Sequence, residues 1–115
     1  MLPDDMELDQ DGQVVTCRIG VPEVTHLEMQ ELIDECMDKV RNDNARHFVF
    51  DMQEVNFLAS SCIGELVSFL QDLEHTKGRV ALANCKDNVL FLFKVTRLDS
   101  VFAIYDDVQE AVESF

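Results

Sequence analysis

The sequence is poor in the features that nucleotide-dependent and redox enzymes commonly use. It contains only four glycines, Gly12, Gly20, Gly64 and Gly78, and they form no glycine-rich phosphate loop. Its four cysteines include no Cys-x-x-Cys pair and have no histidine at ligand spacing, which argues against a zinc site and a thioredoxin-like motif. The three histidines are isolated and form no catalytic order with serine or cysteine. We therefore predict that the chain is not an enzyme and holds no metal or cofactor.

Long apolar runs and a basic leader are also missing. No run approaches the ~20 apolar residues that span a bilayer, and the start, Met1-Leu-Pro-Asp-Asp5, lacks the basic region of a secretory signal. We expect a soluble cytoplasmic protein with no direct membrane insertion, whose cysteines are reduced and packed. For Cys62 a reactive thiol is an alternative, because a helix N-terminus lowers a thiol pKa.

Positive charge is scarce. Nine Lys and Arg residues stand against 23 Asp and Glu residues, which gives a formal net charge of −14. This charge repels nucleic acid and anionic membrane surfaces, and the sequence shows no local basic patch. The simpler interpretation is a solvated acidic surface that keeps a small protein soluble. The alternative is a protein partner with a basic docking face.

The length and the apolar pattern predict a single domain over residues 1–115. A hairpin signal at Asp11-Gly12 is followed by a helix behind the capping-box pattern Thr25-His-Leu-Glu28. Strand patterns at 47–52, 79–83 and 101–105 then alternate with helical patterns around 60–77, 87–96 and from 106 or 107 onward. This order predicts an α/β fold, with a mixed, mostly parallel sheet of about five strands, about four helices and an opening antiparallel hairpin.

The segment Asn56-Phe-Leu-Ala-Ser-Ser-Cys-Ile-Gly64 joins the strand at 47–52 to the helix that follows it. It places two adjacent hydroxyls, those of Ser60 and Ser61, at a helix start. Serine is among the commonest N-cap residues, so a plain helix cap is one interpretation. A phosphate on such a serine would meet free backbone N–H groups and the positive end of the helix dipole, so a chemical switch is the other.

The run Asp51-Met-Gln-Glu-Val-Asn-Phe-Leu-Ala-Ser-Ser-Cys-Ile-Gly-Glu-Leu66 resembles the signature of STAS domains, the anti-sigma factor antagonist family. The resemblance spans nearly the whole chain and includes Lys77-Gly78 and the segment 105–111. It implies that Ser60 accepts phosphate from a partner serine kinase that is also the anti-sigma factor, with Ser61 as a secondary candidate. The unphosphorylated form would bind this partner, the phosphorylated form would release it, and a phosphatase is a further implied partner.

Three residues depart from the family pattern. Ala59 stands where Asp is usual, Cys62 where Gly is usual, and Arg97 where a Gly commonly precedes Leu98. A second interpretation therefore stays open, in which the chain is a STAS scaffold subunit of a stress-signalling or transporter-associated complex that is not phosphorylated. A third, a hydrolase or redox protein, would depend on a reactive Cys62.

The resemblance also suggests which residues contact a partner. Leu90 and Phe91 occupy places that are usually polar in the family, so they are either buried against a neighbouring segment or exposed as a contact patch. The oligomeric state is not predicted. The expected partner-binding residues are Glu23, Ala59, Ser60, Ser61, Cys62, Leu90 and Phe91.

Overall fold

The chain alternates strands and helices around a mixed sheet, in a computed structural model that describes residue 2 and residues 4–115. The strands are β1 (Met6–Asp11), β2 (Val14–Ile19), β3 (Glu23–Val24), β4 (His47–Asp51), β5 (Phe57–Leu58), β6 (Arg79–Ala83) and β7 (Ala103–Tyr105). The helices are α1 (His26–Asn42), α2 (Ser60–Glu74), α3 (Asp87–Val95) and α4 (Val108–Glu113), with a 3₁₀ helix at Leu98–Ser100.

The main sheet has five strands in the order β1-β2-β4-β6-β7. The hairpin strands β1 and β2 are antiparallel, and every other neighbouring pair is parallel. The short strands β3 and β5 pair with each other in a separate parallel ribbon. The predicted α/β class, with a mostly parallel sheet and an opening hairpin, is confirmed.

The hairpin turn consists of Gly12 and Gln13, because Asp11 pairs with Val14. Gly12 has φ 63°, whereas Gln13 is not among the positive-φ residues of the described chain. A positive φ at the first turn position alone is the pattern of a type II′ turn, which glycine adopts without steric cost. The turn therefore lies one residue later than the Asp11-Gly12 signal suggests.

Strand β4 is central, as its continuous apolar run predicts. Phe48 and Phe50 are buried on the sheet face covered by α1, α2 and α3, and the ring of Phe69 on α2 meets both edge-on, at 5.0 and 6.1 Å between centroids. Val49 is buried on the opposite face, in a cluster that includes Ala111 of α4. Helices thus cover both faces of the strand that leads to the serine pair.

Helix α1 begins as predicted. The Thr25 hydroxyl accepts a hydrogen bond from the backbone N–H of Glu28, and the Glu28 carboxylate accepts one from the backbone N–H of Thr25, at 3.2 and 2.9 Å. This reciprocal pair is a complete capping box. The buried face of α1 contains Met29, Leu32, Ile33 and Cys36.

The end of α2 differs from the sequence prediction. In the sequence, Gly78 is a suitable stop for the helix at 60–77, but α2 ends at Glu74 and the left-handed residue before β6 is Lys77, with φ 61°. Gly78 is required for another reason: a Cβ atom there would overlap the carbonyl oxygen of Arg46. Close backbone approach, and not a positive φ, explains this glycine.

The strand predicted at 101–105 is shortened to Ala103–Tyr105, because residues 98–100 form a 3₁₀ turn that leads into it.

All four cysteines are free thiols, and Cys17, Cys36 and Cys62 are buried. Burial and the nearby Asp51 carboxylate raise the pKa of Cys85 to about 11. Among the helices of the described chain, none is long and apolar enough to cross a bilayer.

Candidate functional site

The serine pair lies at the edge of the sheet where the parallel strands end. The loops that follow β2, β4 and β6 all leave from their carboxyl ends, and such edges carry the functional loops of open α/β sheets. The ribbon of β3 and β5 forms here: Glu23 pairs with Phe57, and Val24 pairs with Leu58. Ala59 and Ser60 follow β5 directly, so this ribbon sets the position of the α2 N-terminus.

Ser60 is the first helical residue of α2, and the N-cap position belongs to Ala59. Ala59 has extended backbone angles and offers no side-chain hydrogen bond to the helix. The interpretation of Ser60 or Ser61 as the N-cap is therefore wrong. Both serines are exposed, and neither hydroxyl has a hydrogen-bond partner in the described part of the chain.

Two of the backbone donors at this helix start also lack a partner within the described chain. The amides of Cys62 and Ile63 donate to the Ala59 carbonyl oxygen at 2.9 and 3.3 Å, but those of Ser60 and Ser61 find no acceptor among residues 2 and 4–115. No acidic residue occupies the first turn of α2. Uncapped N–H groups and an uncompensated helix dipole favour an anion at this helix start.

The N-terminus of α1 lies beside that of α2, and it is already occupied by an anion. Its first-turn amide is bonded within the capping box of Thr25 and Glu28, as described above. One residue after the cap, Nε2 of His26 lies 3.8 Å from Oε1 of Glu65 on α2. The amides of His26 and Leu27 also lack an acceptor among the described residues, but the Glu28 carboxylate already supplies negative charge at this helix start. The start of α2 has no such charge, so it is the more favourable of the two for a phosphate.

Cys62 points inward. It is fully buried, and its thiol donates a hydrogen bond to the carbonyl oxygen of Val24 at 3.3 Å. Burial raises the pKa of this thiol, with smaller contributions from the carboxylates of Glu28 and Glu65, while its hydrogen bond with the Ala59 backbone lowers it. Desolvation outweighs the effect of the helix terminus, so the burial of Cys62 argues against the alternative of a reactive thiol. Its side chain also lies too deep to contact a partner.

The exposed residues around the serines include two large apolar side chains. Leu27 is 63% exposed and Phe57 is 52% exposed, and Phe57 pairs with the exposed Glu23 across the ribbon. We use the term serine edge for Glu23, Leu27, Phe57, Ser60 and Ser61. Ala59, which precedes Ser60, is half-buried and packs against the core, so it is not part of the serine edge.

Helix α3 is attached to the serine edge through Asn56. The Lys86 ammonium donates to the Asn56 side-chain oxygen at 2.7 Å, and the Asn88 amide donates to the Asn56 carbonyl at 3.1 Å. Phe91 follows Asn88 by three residues, so it lies on the same side of α3, and it is 55% exposed. Leu90 is half-buried. Of the predicted pair, Phe91 offers the larger contact surface.

Sequence reasoning missed Leu27 and Phe57. Leu27 carries a usable signal, because it falls outside the helical stripe of Met29, Leu32 and Ile33 that faces the core. Phe57 carries none, since a strand of two residues is too short to show alternation. Asp51 has a structural role: its carboxylate accepts from the Gln53 backbone and from the Asn84 side chain, both at 3.1 Å.

The fold and the serine segment agree with comparisons to known proteins. A family model of the STAS domain matches residues 5–111. A Thermotoga neapolitana protein assigned to the anti-sigma factor antagonists is 28% identical over 91 residues, which cover 79% of this chain and 77% of that protein.

Two solved structures have the same fold. An anti-sigma factor antagonist (STAS) domain protein from Planctomyces limnophilus aligns with a TM-score of 0.81 and 22% identity, covering 99% of this chain and 98% of that one. The Bacillus cell fate determinant SpoIIAA, in its phosphorylated form, aligns with a TM-score of 0.75 and 17% identity, covering 95% and 97%. The resemblance found in the sequence is confirmed. The chain belongs to the STAS domain family.

Proposed function

We propose that this protein is an anti-sigma factor antagonist that binds a serine kinase, itself the anti-sigma factor, and is switched by phosphorylation at Ser60. The observation that carries the proposal is the state of the α2 N-terminus. An exposed hydroxyl stands at the first helical residue, above the backbone N–H groups of Ser60 and Ser61, and none of these three groups has a hydrogen-bond partner among the described residues. Such a hydroxyl is open to a kinase, and its phosphate would find donors ready in place.

The neighbours one turn along the helix favour Ser60 over Ser61 as the acceptor. Four residues after Ser60 stands Gly64, above which there is open space even for an added Cβ atom. Four residues after Ser61 stands Glu65, whose carboxylate shares a helical face with that hydroxyl. A phosphate at Ser61 would meet this negative charge, whereas one at Ser60 would not.

The switch would act on a packed interface. Leu27, Phe57 and Phe91 are exposed apolar side chains on α1, β5 and α3, and a partner that covers them together with the start of α2 would exclude water from the acceptor hydroxyl. Phosphorylation adds roughly −1.5 to −2 charge at neutral pH, which such an interface accommodates only at a high desolvation cost. Release of the partner follows from that cost and from repulsion by nearby carboxylates such as Glu23.

The partner's face is expected to be basic at its rim. The chain carries a net charge of −14, and the serine edge contains the acidic residue Glu23. Complementary charge would speed association and make it sensitive to salt, while the buried apolar contacts would set the rate of dissociation. The kinase would supply the nucleotide, and this chain would contribute only the acceptor hydroxyl and the docking surface.

Affinity capture from native lysate tests the proposal. Wild type and Ser60→Glu would serve as baits with ADP or ATP present, and Ser68→Glu would be the matched control, because Ser68 is an exposed serine on the same helix. We expect wild type and the control to retain a serine kinase that Ser60→Glu loses. Equal capture by all three baits would contradict the switch and favour the scaffold interpretation.

A further inference from the structure

A groove at the amino ends of β4 and β6 gathers three of the nine basic residues of the chain. Arg46, His47, Lys77, Arg79 and Phe115 line this groove, which has a volume of about 400 Å³. The sequence prediction that no local basic patch exists is wrong at this point. Parallel pairing of β4 and β6 places His47 opposite Arg79 and so joins residues more than thirty positions apart.

The three cations of this groove have no anionic partner among the residues that the structure describes. The ion pairs among residues 2 and 4–115 are His26–Glu65, Lys39–Asp43 and Arg41–Asp38, so Arg46, Lys77 and Arg79 pair with no carboxylate. In a chain with 23 acidic residues, this is an unusual concentration of uncompensated positive charge. Like charges held together favour a bound anion.

Two buried nitrogens stand in adjacent residues of the groove wall. Nε of Arg46 and Nδ1 of His47 are shielded from solvent and have no hydrogen-bond partner within the described chain. Buried polar nitrogens are normally paired, and those that are not call for a ligand or an ordered water. Arg46 belongs to both the cation cluster and this pair, and Nδ1 of His47 adds an unpartnered nitrogen from a second residue of the same groove.

A second groove of about 280 Å³ adjoins the first and shares Arg79 and Phe115 with it. Apolar side chains, among them Leu70 and Tyr105, line this second groove, and Glu74 contributes a carboxylate to its wall. The rings of His47 and Phe115 stack at 4.7 Å between centroids beside the cations. The two grooves together suit a small molecule with an anionic head and an apolar body.

We propose that the basic groove binds the phosphate of a small phosphate monoester. Arg46 and Arg79 offer planar guanidinium groups that can donate paired hydrogen bonds to phosphate oxygens, and Lys77 adds a third positive charge. Lys77, just before β6, has a positive φ of 61°. This backbone conformation is unfavourable for lysine, and such strained residues are often found at functional sites. The apolar body of the ester lies along Leu70 and Tyr105.

This site is separate from the serine edge. It lies at the amino ends of β4 and β6, beyond the C-terminal end of α2, whereas Ser60 is the first residue of that helix. The 15 residues of α2 span about 22 Å at 1.5 Å per residue. Binding here does not depend on phosphorylation of Ser60, so either proposal can fail without the other.

Titration with inorganic phosphate and with phenyl phosphate, followed by NMR at constant ionic strength, tests the inference. Work at roughly pH 8 keeps a monoester, whose second pKa is about 6, as a dianion. We expect saturable shifts of the amide signals of 46–47, 77–79 and 115. Phenyl phosphate should bind several-fold more tightly than inorganic phosphate if the ester body occupies the adjoining groove, and equal binding would assign the site to free phosphate.

Two double variants of equal charge change complete the test. Lys77→Gln/Arg79→Gln removes two exposed cations from the groove, so folding is preserved, while Arg18→Gln/Lys94→Gln removes two exposed cations elsewhere. We expect the first variant to weaken phosphate binding by about tenfold or more, and the control to bind as wild type does. Equal weakening in both variants, or no saturable shift with either phosphate, would overturn the proposal.

Discussion

The thiol of Cys62 on α2 donates a hydrogen bond to the Val24 carbonyl oxygen on β3 across 3.3 Å. The residue that departs from the family's usual glycine is thus a buried contact between two elements. Because β3 pairs with β5, and β5 leads into α2, this bond closes a small unit that holds Ser60 in position. Cys62 in place of glycine therefore adds a buried hydrogen bond that helps to position Ser60. Its side chain does not cover the surface around the serines.

Replacing Cys62 should destabilise the fold. Cys62→Ala removes a buried hydrogen bond and some packing, at a cost of about 1–2 kcal/mol. Cys62→Gly should cost roughly 1 kcal/mol more, because glycine is a poor helix former. Urea unfolding measures both, and Ser68→Gly at an exposed position of the same helix gives the backbone effect alone. A Cys62→Gly protein as stable as wild type would refute the anchoring role.

Restoring an acid at residue 59 should stabilise α2. Ala59 is the N-cap, and its side chain cannot accept a hydrogen bond from the amides of Ser60 and Ser61, which have no other acceptor in the described part of the chain. Ala59→Asp should therefore add about 1 kcal/mol to the free energy of unfolding. Ala59→Asn separates capping from charge, since it keeps the hydrogen bond and loses most of the dipole interaction. Thermal unfolding is the measurement, and no rise in Tm with either variant would show that solvent already satisfies these amides.

Arg97 should be replaceable by glycine with a gain in stability. Its backbone is left-handed, with φ 62° and ψ 20°, a conformation that costs a residue with a Cβ about 1–2 kcal/mol. The family's usual glycine at this position avoids that cost. We expect Arg97→Gly to gain roughly 1 kcal/mol in chemical unfolding. Arg97→Ala removes the charge but keeps a Cβ atom, so it should not gain stability. If Arg97→Ala gains as much stability as Arg97→Gly, the effect comes from the charge and not from the backbone.

Protonation of His47 should weaken the fold as pH falls. Burial, followed by the charges of Arg46 and Arg79, lowers the pKa of His47 below its ordinary value of 6.5. Between the lowered pKa and pH 6.5, the unfolded chain therefore binds more protons than the folded chain does. The stability that neutral His47 contributes is complete above pH 6.5. It is lost as the pH falls from 6.5 to the lowered pKa.

His47→Phe keeps an aromatic ring against Phe115 and removes the titration. The comparison is the free energy of unfolding of wild type minus that of the variant, measured as a function of pH, because the many carboxylates contribute to both chains alike. This difference should decline on acidification below 6.5 and stay flat above it. If this free-energy difference rises on acidification instead, folding raises the pKa of His47 and the assigned direction of the shift is wrong.

The sequence predicted well those elements whose signals are local and periodic. The Thr25 capping box, the buried stripe of α1 and the continuous apolar run of β4 all appear as expected, because each depends on spacing along one segment. The hairpin was located for the same reason, and its turn was displaced by one residue because the pairing of β1 with β2 decides the register.

The features that were missed depend on contacts between distant segments. The ribbon of β3 and β5 has two residues in each strand and no period to detect. From the sequence alone, Gly78 is interpreted as a helix stop. The structure shows that the carbonyl oxygen of Arg46 lies too close to Gly78 for a side chain there. The cluster of Arg46, Lys77 and Arg79 forms only when β4 pairs with β6, so charge counted along the chain could not reveal it.

Mapping phosphate on protein isolated from its own cells tests the role of Ser60 most directly. Wild type, Ser60→Ala and Ser61→Ala would be purified with phosphatases inhibited, then examined by intact mass and by mass spectrometry of their peptides. We expect wild type and Ser61→Ala to carry one phosphate located on Ser60, and Ser60→Ala to carry none. Phosphate retained by Ser60→Ala, or no phosphate on any of the three proteins, would contradict the switch.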